Sequence, residues 1–564
     1  MGVLVNQTDT SLQRGIAALR SALGEDAAHA LLQPAAVRTN EAASYYFPLP
    51  VDYTGTERRL RISFPKNFPR SGLKLIVEPT PWLVWPHAME AGLCLHGFQE
   101  RPVMGTPEDV VLDSLARLGR IVNLSRMGSC SATRREITSY WSRQQGLSLQ
   151  NLILLDRPQA ASKLFALSDP RQMLPSGQET VWLAMDLASL KKHCQRTIGQ
   201  SPKMRALESP GFYAKLRSYP DLRLPSPDLL LTWLLPHLAP DDRTQLVAWF
   251  NENGSRPNRW IALELPGDTS APIYCLNVRV YGPQLDRGSK FHLRSGRRWP
   301  AVTVKNPPAQ IQATTLDVLD RTEILSRDLS GVVQKLERAR VVCVGVGSLG
   351  STIALQLARS GVAHLTLIDP DHLVSANLGR HVLGVDDLGL PKAKALQKQI
   401  RKDLPTTEVM AFAAFSEAVM QKNPEVFDKA DLVVVTTADW QSEVALWRAK
   451  SDGTSWGLLQ AWSEPHTQVG HALLAPSGGF DARSLFTDNG EFKHKFTEWP
   501  EGGVVALPAC GESFIPGGSL GMVNIASMVS QTALRVLSGN IDRPSWIRSI
   551  NRPDDVVTLG GRYI

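Results

Sequence analysis

The sequence is poor in anything that would cross-link or anchor it. Six cysteines, at 94, 130, 194, 275, 343 and 510, are scattered over 564 residues with no Cys-x-x-Cys and no paired Cys/His spacing, which argues against a disulfide framework or a structural zinc. No uninterrupted apolar run approaches the roughly 18 to 20 residues that cross a bilayer. The start, MGVLVNQTDTSLQRG, lacks a basic-then-apolar leader. The expectation is a cytoplasmic protein with reduced thiols and no membrane contact. Charge of one sign is not in large excess: Lys+Arg is 61 against 54 for Asp+Glu, a net of +7. That permits an anionic ligand but does not argue for direct nucleic-acid binding. What is present is an ordinary globular composition, 43% hydrophobic and 20% charged, over a length that calls for two to four domains.

The pattern changes along the chain. Residues 11–32 carry apolar residues at helical spacing, and Tyr45 to Phe47, Leu60 to Phe64 and Leu73 to Val77 alternate like strands. A run of prolines follows, and the helical period returns over Pro107 to Ser125. This reads as an α+β domain over 1–145. A mixed α/β middle domain over 146–314 is expected to hold strands at Val181 to Leu187, Trp260 to Leu265 and Ile273 to Tyr281, with a helix near Asp228 to Asn253. It carries no chemical motif; its basic run Lys290 to Arg298 reads best as solvated surface. Over 315–564 strands alternate with helices, the pattern of a mostly parallel, Rossmann-like sheet covered on both faces.

That last region holds the chemistry. Arg340 to Gly350 reads RVVCVGVGSLG, an apolar strand entering a turn with Gly345, Gly347 and Gly350, followed by the helical STIALQLAR. Glycines let the backbone approach phosphate oxygens, and the helix start offers unpaired N–H groups to them. The next strand, His364 to Ile368, ends at Asp369, suited to a ribose. So far a dinucleotide dehydrogenase fits equally well. Asn377, Arg380 and Lys392 follow in DPDHLVSANLGR and DLGLPKAK. Hydride transfer needs no such cations beside the phosphates, whereas attack on the α-phosphate of ATP does. A further apolar strand, in ADLVVVTTADW, ends at Asp439, where a carboxylate could hold Mg2+.

These five elements, in order, resemble the ThiF-type adenylation domain of ubiquitin-activating enzymes and bacterial sulfur-carrier adenylyltransferases. The resemblance implies ATP as cosubstrate, with Gly345, Gly347, Gly350 and Asp369 around the nucleotide, Asn377, Arg380 and Lys392 on the phosphates, and Asp439 at Mg2+. It also implies an arginine that reaches a nucleotide across a dimer, matched here by Arg327 in SRDLS with Arg321 as a rival.

An acyl-adenylate is commonly passed to a thiol. Cys343 lies between valines and Cys275 in a similar strand, so both read as core, and Cys130 and Cys194 lack supporting context. Cys510, in the loop LPACGESFIPGG ahead of an apolar helix, resembles the catalytic cysteine of autophagy-type activating enzymes. Cys94, in WPHAMEAGLCLHG after two strands and a proline-rich segment, resembles that of a ubiquitin-conjugating enzyme. The His-Pro-Asn triplet of that family is absent, replaced by Trp85-Pro86-His87, which leaves open whether His87 or His96 assists.

The whole order resembles the fused activating-and-conjugating enzymes of bacterial CBASS antiphage operons. That resemblance implies a homodimer through the adenylation domain, with a cGAS-like nucleotidyltransferase or ubiquitin-like protein C-terminus as the activated carboxylate. The expected path is adenylation, thioester on Cys510, transfer to Cys94 and ligation to an amine. A sulfur-carrier adenylyltransferase of cofactor biosynthesis is the alternative; it would not need Cys94.

Overall fold

The computed structural model describes residues 2–89, 92–96, 105–127, 150–173, 179–198, 207–220, 223–254, 256, 258–267, 273–279, 310–328, 330–506, 513–551 and 555–564. The basic run at 290–298, Cys130 and Cys510 lie outside them.

The first helical stretch is two helices, α1 (Gly2–Leu23) and α2 (Glu25–Leu31), broken at Gly24 with φ 84°. An antiparallel sheet follows in the order β1 (Gln33–Pro34), β2 (Glu41–Leu49), β3 (Arg58–Pro65) and β4 (Lys74–Glu78). A short hairpin, β5 (Ala88–Met89) and β6 (Gly92–Leu93), precedes α3 (Pro107–Met127). Proline at the first position of α3 suits a site whose N–H would be unpaired anyway. Alternation on β3 sends Leu60, Ile62 and Phe64 into a core shared with Leu19 of α1 and Val110, Val111, Leu118 and Ile121 of α3. The opposite face of β3 buries Arg61, whose guanidinium meets Glu41 at 2.7 Å.

The middle region departs from the expected mixed α/β arrangement. Seven strands close into a barrel in the order β10-β11-β12-β13-β7-β9-β8. They are β7 (Gln150–Leu154), β8 (Ser162–Met173), β9 (Glu179–Ala184), β10 (Leu207–Lys215), β11 (Asn258–Glu264), β12 (Ile273–Arg279) and β13 (Gln310–Val318). Closure leaves no sheet edge to defend. Leu187, expected in a strand, begins helix α4 (Leu187–Ile198), and the helix expected near 228–253 is α5 (Pro240–Glu252), preceded by short helical turns. Strand β13 pairs with β12 as far as Thr315 and with β7 from Leu316 to Val318, so the barrel runs past the expected boundary at 314.

The last region opens with the short helix α6 (Arg321–Ile324), capped by the Asp320 side chain. Its seven-stranded sheet has the order β16-β15-β14-β17-β18-β19-β20. The parallel part is β14 (Arg340–Val344), β15 (His364–Ile368), β16 (Glu408–Phe412), β17 (Leu432–Val435) and β18 (Gly457–Ser463). Two antiparallel strands, β19 (Val469–Ala475) and β20 (Ser545–Ile550), finish it. Helices α7 (Ser348–Arg359), α8 (Lys392–Asp403) and α10 (Ser519–Leu537) cover one face, and α9 (Trp440–Ser451) with two shorter helices covers part of the other. Lys394, Gln397 and Arg401 of α8 donate to the outward carbonyls of Ala411 and Val409, blunting the β16 edge. Among the described residues α10 is the one helix long and apolar enough to cross a membrane; here its Ile525, Ala526, Val529 and Ala533 are buried in the sheet core.

Burial by itself would raise the Glu41 carboxyl, but hydrogen bonds from the Arg38 amide, Ser44, Arg61 and Ser63 outweigh it and hold it at about 2. Its stabilising contribution is therefore complete above the ordinary carboxylate range and is lost as pH falls through about 2. Glu41→Ala leaves Arg61 buried without its anion and should cost about 3–5 kcal/mol. Hydrogen-exchange protection of the β2 and β3 amides measures it, and unchanged protection would contradict the pairing.

Candidate active site

Strand β14 ends by turning under its neighbour. Gly345 has φ 84°, and a Cβ there would stand 2.8 Å from the Thr436 and Thr437 backbone. At Gly350 a Cβ would lie 2.0 Å from the Gly345 carbonyl oxygen. Both positions require glycine for packing. Gly347 meets nothing within 4 Å, so its open side and the α7 N-terminus it caps are free to face an anion.

Asp369, at the end of β15, is 5% exposed. Its Oδ2 accepts from the Val346 N–H at 2.7 Å and its Oδ1 from the Asp371 N–H at 2.8 Å. Burial raises its pKa against those two bonds. The carboxylate thus holds the glycine turn as well as standing where a ribose is expected. Beyond it, Asp371 forms an ion pair with the buried Lys392 ammonium at 2.9 Å. Ser348 at the start of α7 donates to the Arg380 carbonyl at 3.1 Å, bringing the half-buried Arg380 to the same turn. Asn377 uses its Oδ1 to accept from the Val374 N–H at 3.1 Å, closing the helical turn that carries it.

His381, next to Arg380, was not singled out from the sequence. Leu383 N–H donates to its Nδ1 at 3.1 Å, so Nε2 carries the proton and donates to the Val346 carbonyl at 2.7 Å. Burial keeps this ring neutral by lowering its pKa. Asp369 and His381 therefore hold the N–H and the C=O of one residue, Val346, and so fix the two successive peptides of the turn.

Asp439 lies after β17, the strand beside β14, and caps α9. Its Oδ2 accepts from the Ser442 amide at 3.3 Å and hydroxyl at 2.7 Å. The Ser442 hydroxyl also lies 3.0 Å from Glu417. One turn on, Glu443 is buried and accepts from Gln460 Nε2 at 2.7 Å. The position of Glu443, four residues after Asp439 on a helix, was the available signal for it.

The two rival arginines separate. Arg321 donates to the carbonyls of Gly361 and of Val333, the latter at 3.2 Å. Gly361 follows the far end of the 12-residue α7, about 18 Å from the glycine turn. Arg327 is exposed.

Among the described cysteines, Cys194, Cys275 and Cys343 are buried and Cys94 is partly exposed. Burial pushes the Cys343 thiol up to about 12. The Cys94 N–H donates to the His87 carbonyl at 2.7 Å, extending the β5–β6 hairpin, and its thiol lies 3.3 Å from the His96 carbonyl. Trp85 of the Trp-Pro-His triplet is fully buried and donates its indole N–H to Asp52 at 2.8 Å. Cys510 is flanked by Val505–Ala506 and Ser513–Phe514, which pair as a two-stranded ribbon.

Residues 321–545 match the family described as ThiF. The C-terminal region is a ThiF-family domain. Curated relatives include the uncharacterized protein y4oA of Sinorhizobium fredii, 28% identical over 48% of this chain and 47% of the relative. The ATP-dependent ubiquitin transferase-like protein Cap2 of Enterobacter hormaechei is 33% identical over 34% of this chain and 30% of its own length. The probable adenylyltransferase/sulfurtransferase MoeZ of Mycobacterium tuberculosis is 28% identical over 36% and 49% respectively. The matches thus span half or less of each of these relatives. The ThiF match takes in the glycine turn, Asp369, Lys392 and Asp439, and leaves the barrel and Cys94 outside it.

Within the ThiF domain, burial first and Asp439 second raise Glu443 from 4.5 to about 7. A raised carboxyl contributes stability that is fully present below pH 4.5 and lost as pH rises to about 7. The loss amounts to about 3 kcal/mol. Glu443→Gln should flatten that slope in urea unfolding between pH 5 and 8; an unchanged slope would contradict it.

Proposed function

We propose that this chain activates the C-terminal carboxylate of a protein with ATP, carries it as a thioester on Cys510, transfers it to Cys94 and ligates it to an amine. The observation that carries the reading is the gathering of Gly347, Asp369 and Arg380 at one turn of a ThiF domain, with Lys392 held beside it through Asp371 and Asp439 after the adjacent strand, on a chain whose N-terminal unit presents its own accessible thiol. Similarity to a protein named as a ubiquitin transferase-like enzyme supports it. We take 1–145 as a ubiquitin-conjugating-like unit, supported by its order of helix, antiparallel meander, cysteine hairpin and helix.

In this reading the Gly347 side of the turn and the α7 N-terminus receive phosphate oxygens, and Asp369 receives the ribose. Lys392 exchanges Asp371 for phosphate, and Arg380 adds a second cation, so that negative charge developing as pyrophosphate departs is met by fixed positive groups. The Asp439 carboxylate suits Mg2+, a hard ion that prefers oxygen donors, and the ion would neutralise phosphate charge there. Arg327, exposed and outside the domain core, serves the partner's nucleotide in a homodimer. The carboxylate oxygen attacks the α-phosphorus and pyrophosphate leaves; the Cys510 thiolate then attacks the acyl carbon and AMP leaves; Cys94 takes the acyl group by thiol exchange. The activated protein is a cGAS-like nucleotidyltransferase or a ubiquitin-like protein, the setting CBASS antiphage defence. A sulfur-carrier adenylyltransferase, the alternative that the MoeZ similarity keeps in view, would give Cys94 no acyl adduct.

Incubation with ATP, Mg2+ and a nucleotidyltransferase or ubiquitin-like protein encoded beside this chain should yield reductant-sensitive adducts at both thiols. Cys510→Ala should lose both and Cys94→Ala only the second. Asp439→Ala should lower carrier-dependent pyrophosphate exchange into ATP at least about 100-fold. Exchange that survives intact, or adducts that form without ATP, would overturn the reading.

A further inference from the structure

The hairpin that carries Cys94 is tied to α3 by a chain of charged groups. His96 Nε2 lies 3.3 Å from Asp113 Oδ2. Arg117, one turn further along α3, donates from Nε to both Asp113 oxygens at 2.9 and 3.0 Å, and from its terminal nitrogen to the Leu95 carbonyl at 3.3 Å. Asp113 and Arg117 are 19% and 12% exposed at their side chains. A carboxylate paired with a guanidinium is an acceptor, so the His96 proton sits on Nε2 and Nδ1 keeps a lone pair. Nδ1 is the ring nitrogen nearer the backbone of its own residue. That backbone is in contact with the sulfur, since the Cys94 thiol lies 3.3 Å from the His96 carbonyl.

A histidine oriented by a partly buried, ion-paired carboxylate thus sits two residues from a partly exposed sulfur that touches its backbone, the components of an oriented base and a thiol. We propose that His96, oriented by Asp113 and Arg117, takes the proton from the amine that attacks an acyl group on Cys94. The inference rests on the acceptor role proposed above for Cys94. In the step, the amine nitrogen bonds to the thioester carbon, the amine proton moves to His96 Nδ1, and the carbon–sulfur bond breaks with its electron pair going to Cys94 as thiolate. Asp113 stabilises the imidazolium so formed, which then returns its proton to the thiolate or to water. Asp113 and Arg117 act through His96 and are positioning residues. His87, whose carbonyl accepts from the Cys94 amide, holds the hairpin in shape.

The test needs neither ATP nor the natural carrier. A fluorescent, glycine-terminated peptide presented as its mercaptoethanesulfonate thioester is exchanged onto Cys94 in the full-length Cys510→Ala chain, with the additional Cys94→Ala change as the blank. Discharge to free lysine is then followed. His96→Ala should load within about twofold of its parent but discharge about 100-fold more slowly, the usual scale for losing a general base. Added imidazole should restore much of the rate. Asp113→Asn should slow discharge to a smaller degree without affecting loading. Discharge that is unchanged in His96→Ala, or that falls together with loading and is not rescued by imidazole, overturns the role of His96. A chain that loads chemically and discharges as expected but forms no ATP-dependent adduct overturns the relay and leaves His96 standing. A parent chain whose Cys94 accepts no peptide at all overturns both.

Discussion

Two hydrogen bonds to one buried carboxylate organise the glycine-turn end of the ThiF domain. Asp369 accepts the Val346 amide and the Asp371 amide on its two oxygens. The first bond fixes the turn after β14, and the second fixes the direction in which the chain leaves β15. Three of the groups expected to touch a phosphate hang from those two segments: the α7 N-terminus from the turn, Lys392 through Asp371, and Arg380 through Ser348. His381 secures the carbonyl of Val346, in the next peptide of the same turn. A buried carboxylate is costly unless its oxygens are matched. Here the same bonds that satisfy it define the site, so the fold and the binding geometry share one source.

The physics of parallel sheets explains why this region could be read from sequence and the barrel only in part. Strands covered by helices on both faces are uninterrupted apolar runs, as in Val341 to Val344 and Leu432 to Val435. Their ends are marked by glycine or by an acid. Three barrel strands, β9, β11 and β12, were expected, whereas others are masked by their own composition: β8 contains Asp169-Pro170, β10 contains Pro210-Gly211, and β13 reads QIQATTLDV. Each of those signals, taken locally, indicates a turn or a polar loop. Only long-range pairing, such as β13 with β7, makes them strands. The N-terminal helix was legible in its periodicity, while its break at Gly24 was a local event within an otherwise continuous pattern.

Side-chain partnerships were legible only where spacing on one helix reveals them. Asp113 and Arg117 are four apart on α3, as are Asp439 and Glu443 at the start of α9, and either pair could be read from sequence alone. The ion pair of Lys392 with Asp371 and the contact of His96 with Asp113 join segments whose proximity is a product of the fold. The rivalry between Arg321 and Arg327 is of the same kind. Both are single basic residues ahead of β14, and what separates them is that the Gly361 and Val333 carbonyls lie where Arg321 can reach them.

Burial also sorts the thiols, and this bears on why a relay would use a loop and a hairpin in place of a strand. A thiolate is the reactive form, and an apolar surrounding suppresses it: Cys343, enclosed by the β14 core, is raised to about 12. A sulfur placed there would be inert at neutral pH and out of reach of a second protein. Cys94 sits where a two-residue hairpin leaves the sheet, partly exposed, with its amide held by His87 and the next residues held by α3. In the relay proposed, such a position would let the sulfur reach an incoming acyl group while its backbone stays fixed, so that an attacking amine and a base would meet in a defined geometry. Accessibility for the sulfur and rigidity for its backbone are opposing demands. A short hairpin braced from one side by Asp113 and Arg117 meets both.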